Sequence, residues 1–241
     1  MSIQFDIQWF DELDSTNTRL VDRARSDPDL PSGTIYAARM QTAGRGRLER
    51  KWMSSRGQNL LFSLYYRTDA HLRHLPSLTM AASIAIDDML HSLQIQSNLK
   101  WPNDVQVNGR KIAGLLSERT RNGMVIGVGL NVNMTEVEAA QIDQPATSIR
   151  IETGREMVIE DVLGTLLSHL PLWLRHWEAG GFSGLRDRWL LGCGGVGTPL
   201  SVRSGEQRVS GLLAGFGEDG ELLLRMPDGQ VQAIWSGDVN V

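Results

Sequence analysis

The chain has 241 residues, enough for one large domain or a main domain with a small one, and enough to bury a sizeable hydrophobic core. With 41% hydrophobic and 22% charged residues, and glycine and proline spread along its length, it is neither a disordered tail nor a collagen-like repeat. A net charge of -4 excludes a global basic field for coating nucleic acid or anionic membrane, and a single cysteine, Cys193, excludes internal disulfides and multi-cysteine metal sites.

In chain order, Ile3, Phe5, Ile7 and Trp9 alternate as one buried face of a strand. The N-cap residues Asp14-Ser15-Thr16-Asn17 then lead into a short helix over residues 19–25. Strands are expected at 34–40 and 60–66, with a Gly- and Arg-rich loop, 44–52, between them. Residues 76–93 carry a helical apolar stripe, and short strands follow around Leu99, Val105 and Ile112, with Asn108-Gly109 as the hairpin turn joining the last two. A further strand covers 125–132. Residues 159–178 and 182–191 read as helices, the first kinked or split at Pro171. From Val196 onward short β-like runs alternate with Ser204-Gly205, Glu218-Asp219-Gly220 and Pro227-Asp228-Gly229, all turn chemistry, so a separate small β-barrel is expected. Strands with helices on a mixed sheet make the main unit α+β.

Of 24 basic residues, 21 are arginine and three are lysine: Lys51, Lys100 and Lys111. A bias toward arginine codons explains the excess but not the three survivors. Lysine is a compact charge that reaches into small sites where the wide guanidinium fork does not fit. In the loop around Lys51, Gly44, Gly46, Arg45, Arg47 and Arg50 combine close backbone approach with concentrated positive charge, as a phosphate-bearing ligand requires. The spacing is neither that of a P-loop nor that of a dinucleotide-binding turn, and the loop alone fits equally a solvated arginine-rich surface or an RNA-contact patch. Around Lys100 the run is Lys100-Trp101-Pro102-Asn103-Asp104, a rigid strand end presenting Asn103 and Asp104. Around Lys111 it is Gly109-Arg110-Lys111-Ile112-Ala113-Gly114, in which a lysine entering a buried strand calls for an anionic partner. Gly127-Val128-Gly129-Leu130-Asn131 repeats glycine on one strand face, the mark of a flat surface or a close backbone approach.

These segments, in this order, resemble the biotin protein ligase family: an Asp-Ser-Thr-Asn start, a Gly-Arg-Gly-Arg loop ending in Trp52, Lys-Trp-Pro-Asn-Asp, a lysine followed by Ala-Gly, and a Gly-x-Asn strand. The resemblance extends over the whole length, including Thr147-Ser148 and the terminal β module. It implies a biotin/lipoate ligase catalytic domain of class II synthetase-like type, a mixed β-sheet with helices packed on it, over 1–192, and a C-terminal SH3-like β-barrel over 193–241. It implies an ATP-dependent ligase: biotin and ATP give biotinyl-5′-AMP and pyrophosphate, and a lysine of a biotin carboxyl carrier protein takes the biotinyl group. Mg²⁺ would accompany the phosphates. Carried over residue by residue, Ser15, Thr16, Asn17, Gln41, Gly44, Arg45, Gly46, Arg47, Lys111 and Gly114 would hold biotin. Arg47, Arg50, Trp52, Asn103, Asp104, Lys111 and Asn131 would meet the nucleotide. Arg47, Lys111 and Asp104 would be catalytic, Asp104 either deprotonating the incoming amine or serving only as a Mg²⁺ or turn ligand.

One departure is Glu49, where the family usually has glycine, which puts a positive-φ turn and some loop flexibility in doubt. Some members also carry an N-terminal repressor domain; here the first motif begins at Asp14, and no operator binding is expected. The N-terminus has neither the charge nor the apolar length of a targeting signal, and residues 78–86 are too short to span a bilayer, so a cytoplasmic protein without membrane contact is expected. In this family a sheet edge can serve homodimerisation. Lipoate or octanoate ligases and transferases share the fold but lack the arginine loop and the Lys-Trp-Pro-Asn-Asp run, and a silent RNA-binding module is the rival of another class. No resident metal site is expected, Cys193 reads as a junction residue, the five histidines form no metal pair, and Trp173, Trp177 and Trp189 read as packing residues.

Overall fold

The computed structural model describes residues 3–47, 50–204 and 207–240. The larger sheet has strands β1 (Asp6–Phe10), β2 (Thr34–Ala38), β3 (Asn59–Arg67), β4 (Asn98–Lys100), β5 (Asp104–Val107), β6 (Arg110–Arg119) and β7 (Gly123–Asn131). Their spatial order is β1-β2-β3-β7-β6-β5-β4. β1 runs parallel to β2, and the other neighbours are antiparallel, so the sheet is mixed as expected. The two-residue turn between β5 and β6 is Asn108-Gly109, with φ of 50° and 75°, the left-handed geometry that favours this pair.

Strand alternation sorts the two faces. Leu60, Phe62, Leu64 and Tyr66 of β3 enter the large core beneath helices α2 (Leu78–Ser92) and α5 (Ile159–Gly180). Tyr65 instead joins Leu20, Val21 and Ala24 of helix α1 (Thr16–Ser26) on the opposite face. On that second face the register aligns Ser63 with Gly127, Gly129 with Gly114, and Gly127 with Leu116. One face is therefore plugged by helices, and the other is nearly bare in its middle.

Several helices depart from the periodicity. Residues Leu72–Ser77 form a 3₁₀ turn containing Pro76, so α2 begins at Leu78 and not at 76. Helix α5 continues through Pro171, which does not split it. Proline removes one bond to the carbonyl four residues back, but Leu163, Leu166, Leu167, Leu170, Leu174 and Trp177 are buried on both sides of it, and that burial outweighs a single lost bond. The stretch expected as one helix over 182–191 is divided into a 3₁₀ turn, Gly181–Gly184, and a helix, Arg186–Gly192. Two further one-turn helices, Glu136–Ala139 and Ile149–Thr153, are too short to show a period in sequence. In chain order they are α3 and α4, and Arg186–Gly192 is α6.

The C-terminal sheet has strands β8 (Pro199–Ser204), β9 (Gln207–Phe216), β10 (Leu222–Arg225), β11 (Val231–Ile234) and β12 (Asp238–Asn240), antiparallel in the order β11-β10-β9-β8-β12. Leu200, Val202, Phe216 and Leu222 belong to the same apolar cluster as the main core. Trp101 Nε1 donates to Gly220 O at 2.9 Å, and Arg186 donates to Gly217 O at 3.1 Å, so the turn before β10 is pinned to the main sheet and to α6. A buried polar network ties three helices. Arg188 of α6 bonds the carboxylates of Asp87 and Asp88 on α2, Ser97 donates to Asp87 at 2.6 Å, and Trp173 of α5 donates to Asp88 at 2.7 Å.

Trp177 is 1% exposed, donates to Ser77 Oγ at 2.9 Å and meets Tyr66 edge-on with ring centroids 6.2 Å apart. Trp177→Ala is expected to lower stability by about 3–5 kcal/mol in denaturant unfolding, and an unchanged midpoint would refute this account of the core. In the capping box of α3, Glu138 accepts from Thr135 N at 2.8 Å while Thr135 Oγ1 accepts from Glu138 N at 3.3 Å. The Thr135 N–H is the main influence holding the Glu138 carboxyl below the ordinary glutamate range, against partial desolvation. A carboxyl lowered in the folded state contributes fully above its unfolded pKa of about 4.3 and loses that contribution as pH falls through the folded value. Glu138→Gln is therefore expected to flatten the acid limb of stability below about pH 4.3, measured by urea unfolding across pH.

Candidate active site

The site begins at the N-terminus of α1. Ser15 is extended, with φ of -156° and ψ of 128°, and its Oγ accepts from Thr18 N at 3.4 Å as the helix cap. Asp14 accepts from Ser15 N at 2.7 Å and Arg19 Nε at 2.9 Å, and the Ser15 N–H holds its carboxyl below the usual range. This cap turns Thr16 and Asn17 inward, 3% and 4% exposed, onto the open face of the sheet. Thr16 Oγ1 lies 2.9 Å from Ser63 Oγ, and Gln41 Oε1 accepts from both Thr16 N (2.7 Å) and Thr16 Oγ1 (3.1 Å). With its oxygen taken twice, Gln41 has only its NH₂ to offer the cavity. Asn17 Nδ2 donates to Glu118 Oε1 at 2.6 Å, and Asn17 Oδ1 is buried with no partner among the described residues.

Three glycines form the floor. A Cβ on Gly127 would lie 3.0 Å from Asn17 Oδ1, and one on Gly129 would run into the Trp52 indole. On Gly114 it would meet Lys111 Nζ at 2.7 Å and Trp52 at 3.0 Å. Side chains are absent because Trp52, Lys111 and Asn17 lie flat against the strands. Trp52 Nε1 is also buried without a partner.

The charges are set by packing. Between β5 and β6 the register shifts, so that Val105 faces Ala113 while Gln106 faces Lys111. This bulge absorbs Ile112 into the core and moves Lys111 onto the glycine face beside Gly114. There Lys111 Nζ lies 2.7 Å from Asp104 Oδ1 and 5.6 Å from the centroid of the Trp52 ring. Asp104 is thus the anionic partner that the sequence called for. Arg47 donates to Asn103 Oδ1 at 3.0 Å, and Asn103 is itself anchored to Leu115 by Leu115 N donating to Asn103 O at 3.0 Å. Arg45 donates to Glu118 at 2.9 Å, and Arg50 pairs with Asp238 of β12. Leu48 and Glu49, including the departure read at Glu49, lie outside the described residues.

These groups enclose a tight inner slot of about 80 Å³, continuous in its lining with an outer cavity of about 630 Å³. Ser15, Thr16, Asn17, Gln41, Arg45, Gly46 and Gly114 line the slot, and Arg47, Arg50, Trp52, Asn103, Asp104 and Lys111 line both. Gly44 lines neither: a side chain there would strike Trp52 O at 2.6 Å, so its smallness serves the folding of the loop on itself. Asn131 lines the outer cavity, but its Nδ2 is spent on Thr147 O at 3.0 Å, steadying the backbone near Lys111. Sequence reasoning missed Ser63, Glu118, Gln144 and Asp238. Ser63 and Glu118 were legible only as polar residues on a buried strand face, and nothing local marked the other two. Among the described residues one group of three metal-ligand types converges, Asp87, Asp88 and His91 on α2, and Arg188 already neutralises its carboxylates. The arrangement offers a bare floor for a flat ligand, a donor and an acceptor at its inner end, and cations toward the outer cavity for a polyanion.

The family described as biotin/lipoate A/B protein ligases matches residues 9–134, a little over half of the chain. The chain is 32% identical over 236 residues to a biotin--[acetyl-CoA-carboxylase] ligase of Paracoccus denitrificans, covering 94% of this chain and 96% of that protein. It is 31% identical over 241 residues to the bifunctional ligase/repressor BirA of Bacillus subtilis, covering 97% of this chain and 73% of that protein. Its fold is similar to that of a biotin protein ligase from Aquifex aeolicus solved in complex with biotin and ATP, with a TM-score of 0.79, 28% identity, and coverage of 98% of this chain and 97% of that one. The chain belongs to the biotin/lipoate A/B protein ligase family.

Proposed function

We propose that this site is that of an ATP-dependent biotin ligase: it joins biotin to ATP as biotinyl-5′-AMP, releasing pyrophosphate, and passes the biotinyl group to a lysine of a biotin carboxyl carrier protein. The observation that carries this reading is the polarity of the inner slot. Among the described residues Asn17 Oδ1 is a buried acceptor without a donor, and Gln41, which lines the same slot with its oxygen taken twice by Thr16, has a donor to offer in Nε2. A cyclic urea, with N–H and C=O side by side, satisfies both, whereas an acyl chain or dithiolane satisfies neither. The relatives named as biotin ligases, and the similar structure holding biotin and ATP, support the same substrates.

In the first step a carboxylate oxygen attacks the α-phosphorus, and the bond to the pyrophosphate oxygen breaks. Carboxylate and triphosphate repel, so the site must supply positive charge where negative charge gathers. Lys111, Arg47 and Arg50, all lining both cavities, face the junction of the two substrates. Asp104 positions Lys111 through their 2.7 Å contact, and Asn103 positions Arg47. Mg²⁺ would come with the triphosphate and supply charge neutralisation there. Among the described residues, Asp104 and Asp238, the carboxylates lining both cavities, are each engaged by a cation.

In the second step the lysine nitrogen attacks the acyl carbon, AMP leaves with the bridging oxygen, and the amine loses a proton. Asp104, freed as Lys111 turns to the anionic intermediate, is the carboxylate placed to orient that amine and take the proton. The inner slot as it stands holds little more than a few waters. Biotin therefore enters as Trp52 lifts from Gly129, and the indole closes again over the adenylate to exclude water. Among the described residues no helix is long and apolar enough to cross a membrane. We place the reaction in the cytoplasm, on a carrier such as an acetyl-CoA carboxylase subunit.

The test is exchange of labelled pyrophosphate into ATP, with biotin, lipoate and octanoate offered separately. Exchange with biotin alone is expected; exchange driven only by lipoate or octanoate would transfer the site to the other branch of the family. Lys111→Arg is expected to cut that exchange about a hundredfold, because the guanidinium fork cannot fit over Gly114, while the melting temperature stays near that of the parent. Equal exchange by the variant would remove Lys111 from the chemistry.

A further inference from the structure

Glu118 stands on β6, two strand positions beyond Leu116 on the glycine face, with its side chain 26% exposed. One of its oxygens, Oε1, accepts from Asn17 Nδ2 at 2.6 Å and from Arg45 Nη1 at 2.9 Å, and Arg45 also reaches Thr18 Oγ1 at 3.4 Å. A carboxylate accepts hydrogen bonds and donates none, and both contacts of this oxygen come from N–H donors. The Asn17 amide can therefore face Glu118 with its NH₂ only. Turned over, it would set two oxygens against each other in a buried place, with a cost in desolvation and repulsion that nothing nearby offsets. The other end of the amide is Oδ1, which lies over Gly127, is buried, and has no partner.

We propose that Glu118 is a positioning residue that sets acid specificity: by locking the Asn17 amide it commits the inner slot to presenting an acceptor, and so to ligands that bring an N–H. Discrimination then works through a penalty. A ligand with an N–H, as in a cyclic urea, relieves the unpartnered Oδ1, while an acid without one leaves it buried and unsatisfied. If the amide were free to rotate, it could turn its NH₂ toward a ligand acceptor or toward water, and the penalty against acids lacking an N–H would shrink. Gln41 fixes the complementary donor in a different way, through two bonds to Thr16. The slot's two polar ends are thus oriented by independent partners. Arg45 is accounted for as well: its guanidinium is spent on Glu118, which leaves it to steady the amide's partner at the root of the loop.

This inference rests on the reading of the site as a biotin pocket, and its test separates the two. Biotin affinity is measured by calorimetry, and KM for biotin and for ATP by pyrophosphate exchange, for Glu118→Gln, Asn17→Ala and the double variant. Asn17→Ala is expected to weaken biotin about tenfold; no loss would take Asn17 out of the biotin site and overturn the reading itself. Glu118→Gln is nearly the same size, but its own amide can donate as well as accept, so Asn17 is released. It is expected to raise KM for biotin several-fold, to leave kcat and KM for ATP within about twofold, and to narrow the preference for biotin over lipoate by the same several-fold factor. In the Asn17→Ala background the Glu118 substitution should then add little. An additive loss in the double variant, or a matching rise in KM for ATP, would make Glu118 only a strut for the Arg45 loop and overturn the proposal. An unchanged KM for biotin in Glu118→Gln, with Asn17→Ala impaired, would do the same.

Discussion

The bare strip of sheet formed by Gly114, Gly127 and Gly129 is the constraint on which the rest of the site depends. Against it lie three groups with different tasks, the Trp52 indole, the Lys111 ammonium and the Asn17 amide, each within contact distance of where a β-carbon would stand. A side chain at any of the three positions would displace one of them. The helices packed on the opposite face give this strip its rigidity, since Ala113, Leu115, Ile126, Val128 and Leu130 of the same two strands are locked into the core. A flat floor held from behind can receive a flat ligand without rearranging, and motion is left to the loop above it.

The charges over this floor are mostly balanced. Lys111 has Asp104, Arg45 has Glu118 and Arg50 has Asp238, while Arg47 is held by the neutral Asn103. Paired cations at a partly buried site stay ordered before substrate arrives, and a polyanion then exchanges with carboxylates instead of ordering free side chains. The C-terminal sheet takes part directly, since Asp238 holds the arginine loop while Gly220 receives the indole N–H of Trp101. Trp101 thereby links the Asn103-Asp104 turn to that sheet, a structural task within a segment that otherwise carries chemistry.

Much of the fold was legible because the signals were local and repeated. Alternation marked the first strand, β1, although Ile7, expected on its buried face, is 38% exposed because β1 is the edge of the sheet and only Trp9 and Phe10 are partly covered, and Asn108-Gly109 marked its own hairpin. Pro171 misled because its cost is local, whereas the stripe from Leu163 to Trp177 that outweighs it is a sum over several turns of the helix, buried against α2 and β3 far away in sequence. The one-turn helices α3 and α4 escaped because four or five residues cannot show a helical period; their caps at Thr135 and Ser148 hold them.

The same division runs through the site. Residue chemistry and order were enough to pick out the arginine loop, the Asn103-Asp104 turn, Lys111 and the glycine strand, because lysine in place of arginine and glycine in place of larger residues register a requirement wherever the chain happens to fold. What the tertiary structure decided is which groups face one another. Asn17 and Glu118, 101 residues apart, meet because two strands and a helix share one face, and Arg50 and Asp238, 188 apart, meet because the C-terminal sheet folds back. Even the side of the sheet on which Lys111 lies was undetermined by its neighbours in sequence. A single bulge at Ile112 reverses the alternation, and whether a strand bulges is settled by the partner strand and the core behind it.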